Sequence, residues 1–136
     1  MNLPQVILDT DILSALMRRN QQVVAKARAY LAQHGQLTFS IITRYEILRG
    51  LKAKGATRQE ENFQRFCANN QILTLTDDVI SQAAEIYADL YKRRDLVGDA
   101  DILIAASALA NGFGVVTNNE RHFTRITGLS VENWLK

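Results

Sequence analysis

Three acidic residues are the strongest candidates for chemistry in this sequence. Asp9 directly follows the uninterrupted apolar run 6–8, which predicts a short buried strand that ends in a carboxylate. In open parallel α/β sheets, ligands bind at this carboxyl edge of the strands. Glu46 and Asp101 lie on later predicted helices. We expect the fold to bring them to Asp9, because a half-buried charge needs a partner or a metal ion.

Two acidic residues also have ordinary structural explanations. Glu46 lies in the middle of a predicted helix over 41–52, and a solvent-facing position paired with Arg49 explains it equally well. Asp11 is predicted to be the N-cap of a short helix over 12–19. The sequence therefore leaves the role of Glu46 open and favours a capping role for Asp11.

Asp99 and Asp101 open a predicted helix over 99–111 that is apolar almost all round and is therefore expected to be buried. One acid suits the positive end of the helix, but two within three residues exceed what capping needs. Asn118 and Asn119 follow the predicted strand 114–117, where a turn is the ordinary explanation. Together, these residues predict several oxygen ligands at one edge of a sheet.

Carboxylate and amide oxygens suit Mg²⁺ or Mn²⁺ rather than zinc. The sequence has no His and Cys set with zinc spacing, and His34 and His122 are isolated. It has no phosphate-binding P-loop and no glycine-rich dinucleotide motif. Metal-assisted chemistry on a phosphate is the class of reaction that remains.

The predicted strands alternate with helices, which indicates a three-layer α/β/α sandwich around a parallel sheet of four to five strands. Residues 1–136 are expected to form one domain, as is usual at this length. Further helices are predicted over 22–33, 58–68 (with Thr57 as N-cap) and 77–94. The predicted strands are 6–8, 37–39, 72–75, 114–117 and 129–131.

The composition limits the class of protein. The apolar fraction of 47% is ordinary for a globular protein, and a net charge of +2 does not by itself indicate nucleic-acid binding. No apolar run approaches the length of a membrane span, and a signal peptide is not apparent, so we expect a cytoplasmic protein without a membrane partner. Cys67 follows Phe63 and Phe66 on a predicted helix and is expected to be a core thiol.

Four stretches, in order along the chain, resemble one protein family. They are Leu-Asp-Thr-Asp-Ile-Leu at 8–13, Ser-Ile-Ile-Thr-Arg-Tyr-Glu-Ile at 40–47, Asp-Ile-Leu-Ile-Ala-Ala at 101–106 and Val-Thr-Asn-Asn at 116–119. The ordered set resembles the PIN-domain ribonucleases, specifically the VapC-type toxins of bacterial toxin–antitoxin pairs. The resemblance covers essentially the whole chain and implies a PIN fold.

The resemblance also implies roles for individual residues. Asp9, Glu46 and Asp101 match the catalytic carboxylates of the family. Asp9 and Asp101 would be the principal magnesium ligands, with Mn²⁺ as a substitute, and Glu46 would hold or polarise the attacking water. A fourth acidic position of many PIN domains corresponds here to Asn119. An uncharged amide at this position argues against full occupancy of a second metal site. Asp99 would be auxiliary, while Thr10, Thr43 and Thr117 would hydrogen-bond the carboxylates or a phosphate.

The implied reaction is hydrolysis of RNA phosphodiester bonds, with tRNA or ribosomal RNA as the substrate class. The implied partners are a cognate VapB-like antitoxin, which holds the enzyme inactive, and a second copy of the chain in a homodimer. Several basic residues on elements expected to border the site are candidates for the RNA backbone, although each alone is as readily a solvated surface residue: Arg18, Arg19, Arg44, Arg49, Lys52 and Lys54.

Two other interpretations remain open at the level of sequence. Asp9-Thr10-Asp11 after an apolar strand imitates the nucleophile motif of haloacid-dehalogenase-type phosphatases. That class also needs a lysine and a later acidic pair after a strand, whereas the pair Asp99 and Asp101 follows a charged loop and opens a helix. The second is a PIN-fold module that binds RNA or an antitoxin without chemistry.

Overall fold

The computed structural model describes residues 2–136, in which five short strands alternate with helices. The strands are β1 (Val6–Leu8), β2 (Thr38–Ser40), β3 (Gln71–Leu73), β4 (Gly114–Val116) and β5 (Val131–Glu132). The helices are α1 (Thr10–Met17), α2 (Gln21–His34), α3 (Ile41–Ala53), α4 (Thr57–Ala68), α5 (Asp77–Lys92), α6 (Asp99–Ala110) and α7 (Glu120–Phe123).

All five strands run parallel to their hydrogen-bonded neighbours, as the alternation of strands and helices predicts. They form two ladders, one in the order β1-β4-β5 and the other joining β2 to β3. In the first ladder Ile7 lies opposite Val115 and Leu8 opposite Val116. β2 lies beside β1 without ladder hydrogen bonds. The prediction of four to five parallel strands is confirmed, but the hydrogen bonds divide the five strands into two separate ladders.

Helices cover both faces of the strands, because successive strand side chains point to opposite sides. Val6 and Leu8 pack with α1 to α4 in one apolar cluster, while Ile7 packs with α5 to α7 in another. Val116 and Val115 divide between the two clusters in the same way. The predicted three-layer α/β/α sandwich is therefore confirmed.

Two predicted helix caps are wrong. Asp9, not Asp11, is the N-cap of α1, and its side chain accepts a hydrogen bond from the backbone N–H of Thr10. β1 ends at Leu8 and α1 begins at Thr10, so only Asp9 is available at the junction. Thr57 is already helical, and the N-cap of α4 is Ala56, which has no side-chain acceptor.

Three further features concern the core and the helices. Cys67 lies in the first apolar cluster and burial raises the pKa of its thiol, in agreement with a core role. Trp134 packs against the same cluster and is 3% exposed. Within residues 2–136, every helix is too short or too polar to cross a bilayer.

Candidate active site

Asp9 lies at the junction between β1 and α1 and is 6% exposed. Its Oδ1 accepts a hydrogen bond from the backbone N–H of Thr10 at 2.8 Å, and its Oδ2 accepts one from the hydroxyl of Thr117, also at 2.8 Å. Burial, followed by repulsion from Asp11, raises the pKa of Asp9 from 3.8 to about 7. Asp101 adds to this repulsion. The two hydrogen bonds fix the orientation of Asp9 and favour its charged form, but burial and the neighbouring acids outweigh them.

Asp11 adds a second carboxylate in the first turn of α1. Its Oδ2 accepts a hydrogen bond from the backbone N–H of Asn118 at 3.0 Å. Its Oδ1 is buried and has no hydrogen-bond partner among residues 2–136. The pKa of Asp11 is raised, first by burial, and Asp101 contributes by repulsion. A buried acceptor without a partner is costly, and a bound cation would satisfy it.

Glu46 reaches the same place from α3. Its Oε1 accepts a hydrogen bond from the hydroxyl of Thr10 at 2.6 Å, and that hydroxyl oxygen is also 3.1 Å from the hydroxyl oxygen of Thr43. Thr10 thereby joins Glu46 to Asp9 through its side chain and its backbone N–H. Arg49 lies 3.9 Å from the other oxygen of Glu46 and is itself 60% exposed, so both sequence interpretations of Glu46 hold in part.

Asp101 approaches from the first turn of α6. Its Oδ2 lies 2.7 Å from Nδ1 of His122 and 3.5 Å from Nδ2 of Asn119. Asp99, two residues earlier in the same turn, is exposed and makes no hydrogen bond or ion pair with the described residues. Asp101, rather than Asp99, is therefore the acid that α6 contributes to the site.

The structure brings Asp9, Asp11 and Asp101 close enough for their charges to interact, and it connects Glu46 to them through Thr10. The donors are hard oxygens, and they repel one another in the absence of a cation, which fits a Mg²⁺ or Mn²⁺ site. As they are oriented, however, no three Asp, Glu, His or Cys side chains in residues 2–136 stand together around a common point. Mg²⁺ usually keeps several of its waters and is bound by one or two carboxylates, so a pair of these acids together with water could complete its coordination.

The contact of His122 with Asp101 is not predicted from the sequence, in which His122 stands apart from the other candidate ligands. The expectation that Thr10 and Thr117 hydrogen-bond the carboxylates is met, since Thr10 donates to Glu46 and Thr117 donates to Asp9. The nearby pattern Asn119-Glu120-Arg121-His122 looks like an ordinary polar turn. Only the position of α7 after β4, beside the start of α6, brings the ring to Asp101.

The basic residues predicted near the site differ in their availability. Arg44 donates to the side chain of Gln64, and Lys52 pairs with Glu60 at 2.8 Å. The remaining residues of the set are exposed. Of these, Arg49 reaches Glu46, whereas three make no ion pair with the described residues: Arg18, Arg19 and Lys54.

The profile of the PIN domain matches residues 6–129, which include Asp9, Glu46 and Asp101. The chain belongs to the PIN-domain family. This confirms the resemblance inferred from the four sequence stretches, and it favours the nuclease interpretation over the haloacid dehalogenase one. The prediction that all of residues 1–136 form a single domain is not tested by this match and stays a prediction.

Relatives of this PIN domain are VapC ribonucleases. A ribonuclease VapC2 from Haemophilus influenzae is 30% identical over 131 residues, covering 95% of this chain and 97% of the relative. A tRNA(fMet)-specific endonuclease VapC from Shigella flexneri is 30% identical, covering 94% of this chain and 96% of the relative. A DNA-bound VapBC structure from Salmonella typhimurium superposes with a TM-score of 0.86 at 25% identity, covering 97% and 99% of the two chains. Nucleases with this domain depend in general on metal ions.

Proposed function

We propose that this PIN domain is a Mg²⁺-dependent endoribonuclease toxin with Asp9, Glu46 and Asp101 as its catalytic residues. Mn²⁺ is expected to substitute for Mg²⁺. The observation that carries the proposal is the state of Asp9, whose oxygens are fixed by Thr10 and Thr117 while its pKa is raised to about 7. A carboxylate that hydrogen bonds hold in place, in surroundings that favour its neutral form, is typical of a functional site.

Asp9 and Asp101 would hold the cation, and the unpartnered Oδ1 of Asp11 is available as a further oxygen. The cation would neutralise charge on the scissile phosphate and on the leaving oxygen. Because burial and repulsion from Asp11 raise the pKa of Asp9 to about 7, binding of a cation is expected to release a proton from Asp9 near neutral pH.

Glu46 would orient and deprotonate the attacking water. Its Oε1 is held by the hydroxyl of Thr10, which leaves Oε2 for another partner, and exposed Arg49 contacts that oxygen only at 3.9 Å. Thr10 therefore acts as a positioning residue that couples Glu46 to Asp9. Water would attack the phosphorus and the bond from phosphorus to the 3′-oxygen would break, which leaves a 5′-phosphate and a 3′-hydroxyl without participation of the 2′-hydroxyl of the RNA.

The substrate class is structured RNA, either tRNA or ribosomal RNA. The name of the relative from Shigella flexneri refers to one tRNA, which favours a tRNA for this chain as well. Arg18, Arg19 and Lys54 are exposed and make no ion pair within residues 2–136, so their charges are available to phosphates.

A VapB-like antitoxin is the proposed protein partner, since structures related to this chain are VapBC complexes. The antitoxin would neutralise the enzyme by covering the acidic site. We also propose that the active form is a homodimer and that it acts in the cytoplasm.

Cleavage of total RNA by purified protein, freed of any bound partner, tests the proposal. We expect discrete fragments with 5′-phosphate ends in Mg²⁺, none in EDTA, and none with Asp9→Ala. A substrate with a 2′-deoxyribose at the cut site should still be cleaved. Absence of cleavage by a wild-type protein that binds Mg²⁺ would contradict the proposal and favour a non-catalytic binding module.

A further inference from the structure

His122 is the histidine of α7, and its ring is the shortest contact of Asp101. Nδ1 of the ring lies 2.7 Å from Asp101 Oδ2 and 2.7 Å from the amide nitrogen of Asn119. The ring is 40% exposed and the carboxylate of Asp101 is 22% exposed, so the contact lies at the rim of the site rather than in the core.

Hydrogen-bond chemistry decides the direction of this contact. A carboxylate oxygen can only accept, so Nδ1 must carry the hydrogen and donate to Asp101 Oδ2. Nδ1 then cannot accept from Asn119. The amide of Asn119 satisfies the same arrangement when its oxygen faces the ring, because a half-turn about its last torsion exchanges oxygen and nitrogen without a change of shape.

The contact engages only one of the two oxygens of Asp101. The hydrogen bond from His122 goes to Oδ2, and Asn119, with its oxygen toward the ring, donates none to this carboxylate. Oδ1 makes no hydrogen bond with the described residues and remains available. Hydrogen bonds to one oxygen of a ligating carboxylate fix the direction of the other, and loss of such a partner weakens metal binding.

We infer that His122 is a positioning residue for the metal site: its Nδ1–H holds Asp101 Oδ2 so that Oδ1 is presented to the cation. The inference rests on the proposed function, because it takes Asp101 as a metal ligand. It assigns His122 no contact with the cation and no part in proton transfer.

Binding of Mn²⁺ to metal-free protein, followed by the EPR signal of the free ion, tests the inference without RNA. We compare wild type with His122→Ala, His122→Phe and His122→Asn. Phenylalanine keeps a ring without a donor, whereas the amide of asparagine places a donor near the position of Nδ1. Thermal unfolding in EDTA shows that each variant is folded.

We expect the Kd for Mn²⁺ to rise by roughly 10- to 100-fold in the alanine and phenylalanine variants and to return near the wild-type value in His122→Asn. If the ring of His122 acted only through packing, the phenylalanine variant would keep the wild-type Kd for Mn²⁺. Unchanged or tighter binding by His122→Ala would overturn the inference, as would failure of asparagine to restore binding. A nitrogen coupling to bound Mn²⁺ in pulsed EPR would also overturn it, because the ring would then be a direct ligand.

The same titration separates this inference from the proposed function. If Asp101→Asn abolishes binding while His122→Ala does not, Asp101 remains a ligand and only the positioning role fails. If wild type binds no Mn²⁺, the proposed metal site fails and the role of His122 fails with it.

Discussion

Asp9→Asn should stabilise the metal-free protein at alkaline pH. In the folded chain the pKa of Asp9 is about 7, compared with an ordinary value of 3.8. Between these pH values the folded chain holds a proton that the unfolded chain has released. The stability that comes from the protonated group is therefore complete below about pH 3.8 and is lost as the pH rises through 7.

The size of the effect follows from the pKa difference. A shift from 3.8 to about 7 corresponds to about 4 kcal/mol of unfolding free energy lost by pH 8. Asparagine has no charge to desolvate, and its oxygen still accepts the hydrogen bond from the N–H of Thr10. Asp9→Asn should thus exceed wild type by about 2–4 kcal/mol at pH 8 in EDTA, with a difference below about 1 kcal/mol at pH 4.

Urea unfolding followed by fluorescence measures this difference, because Trp134 is the single tryptophan and is buried. Glu85→Gln is the matched control for loss of one carboxylate charge, since Glu85 is exposed and makes no ion pair with the described residues. A loss of stability in Asp9→Asn at pH 8, or a difference that does not change between pH 4 and pH 8, would refute the electrostatic account and leave Asp9 as a structural cap.

Three further perturbations test other contacts. Thr10→Val removes the hydroxyl that holds Glu46. By analogy with the loss of other outer-shell partners, it should lower the rate of RNA cleavage by roughly 10- to 100-fold at saturating Mg²⁺. An unchanged rate would exclude the positioning role of Thr10. Cys67→Ala should retain full cleavage activity and lose about 1–2 kcal/mol in urea unfolding, and loss of activity in a folded variant would contradict a core role for the thiol. Arg18→Gln with Arg19→Gln should raise the KM for RNA and flatten its salt dependence while kcat is kept; an unchanged KM would exclude these residues from RNA binding.

The elements that carry the site could be predicted because their signals are local. The apolar run 6–8 is a strand with both faces covered, so each of its residues is buried and Asp9 emerges at its end. The helix that begins at Asp99 could be predicted for the same reason, because its residues are apolar almost all round. In each case an apolar segment adjoins a carboxylate in the sequence, and in the folded chain this junction lies at the edge of the sheet.

The contacts within the site could not be predicted in the same way, because they depend on how elements distant in sequence approach one another. Thr10 reaches Glu46 only because α1 and α3 pack side by side. His122 reaches Asp101 from a four-residue helix whose sequence resembles a turn. The residue type of Asp11 predicts a helix cap, whereas the abrupt junction of β1 with α1 gives that role to Asp9.

The most direct test of the account compares two neighbouring acids of one helix turn. Asp99 and Asp101 both lie in the first turn of α6, so the two substitutions to asparagine remove the same charge from the same helix end. Only Asp101 faces the site. RNA cleavage in Mg²⁺ should fall by about 100-fold or more in Asp101→Asn and remain near the wild-type rate in Asp99→Asn. Equal activity of the two variants would contradict the account.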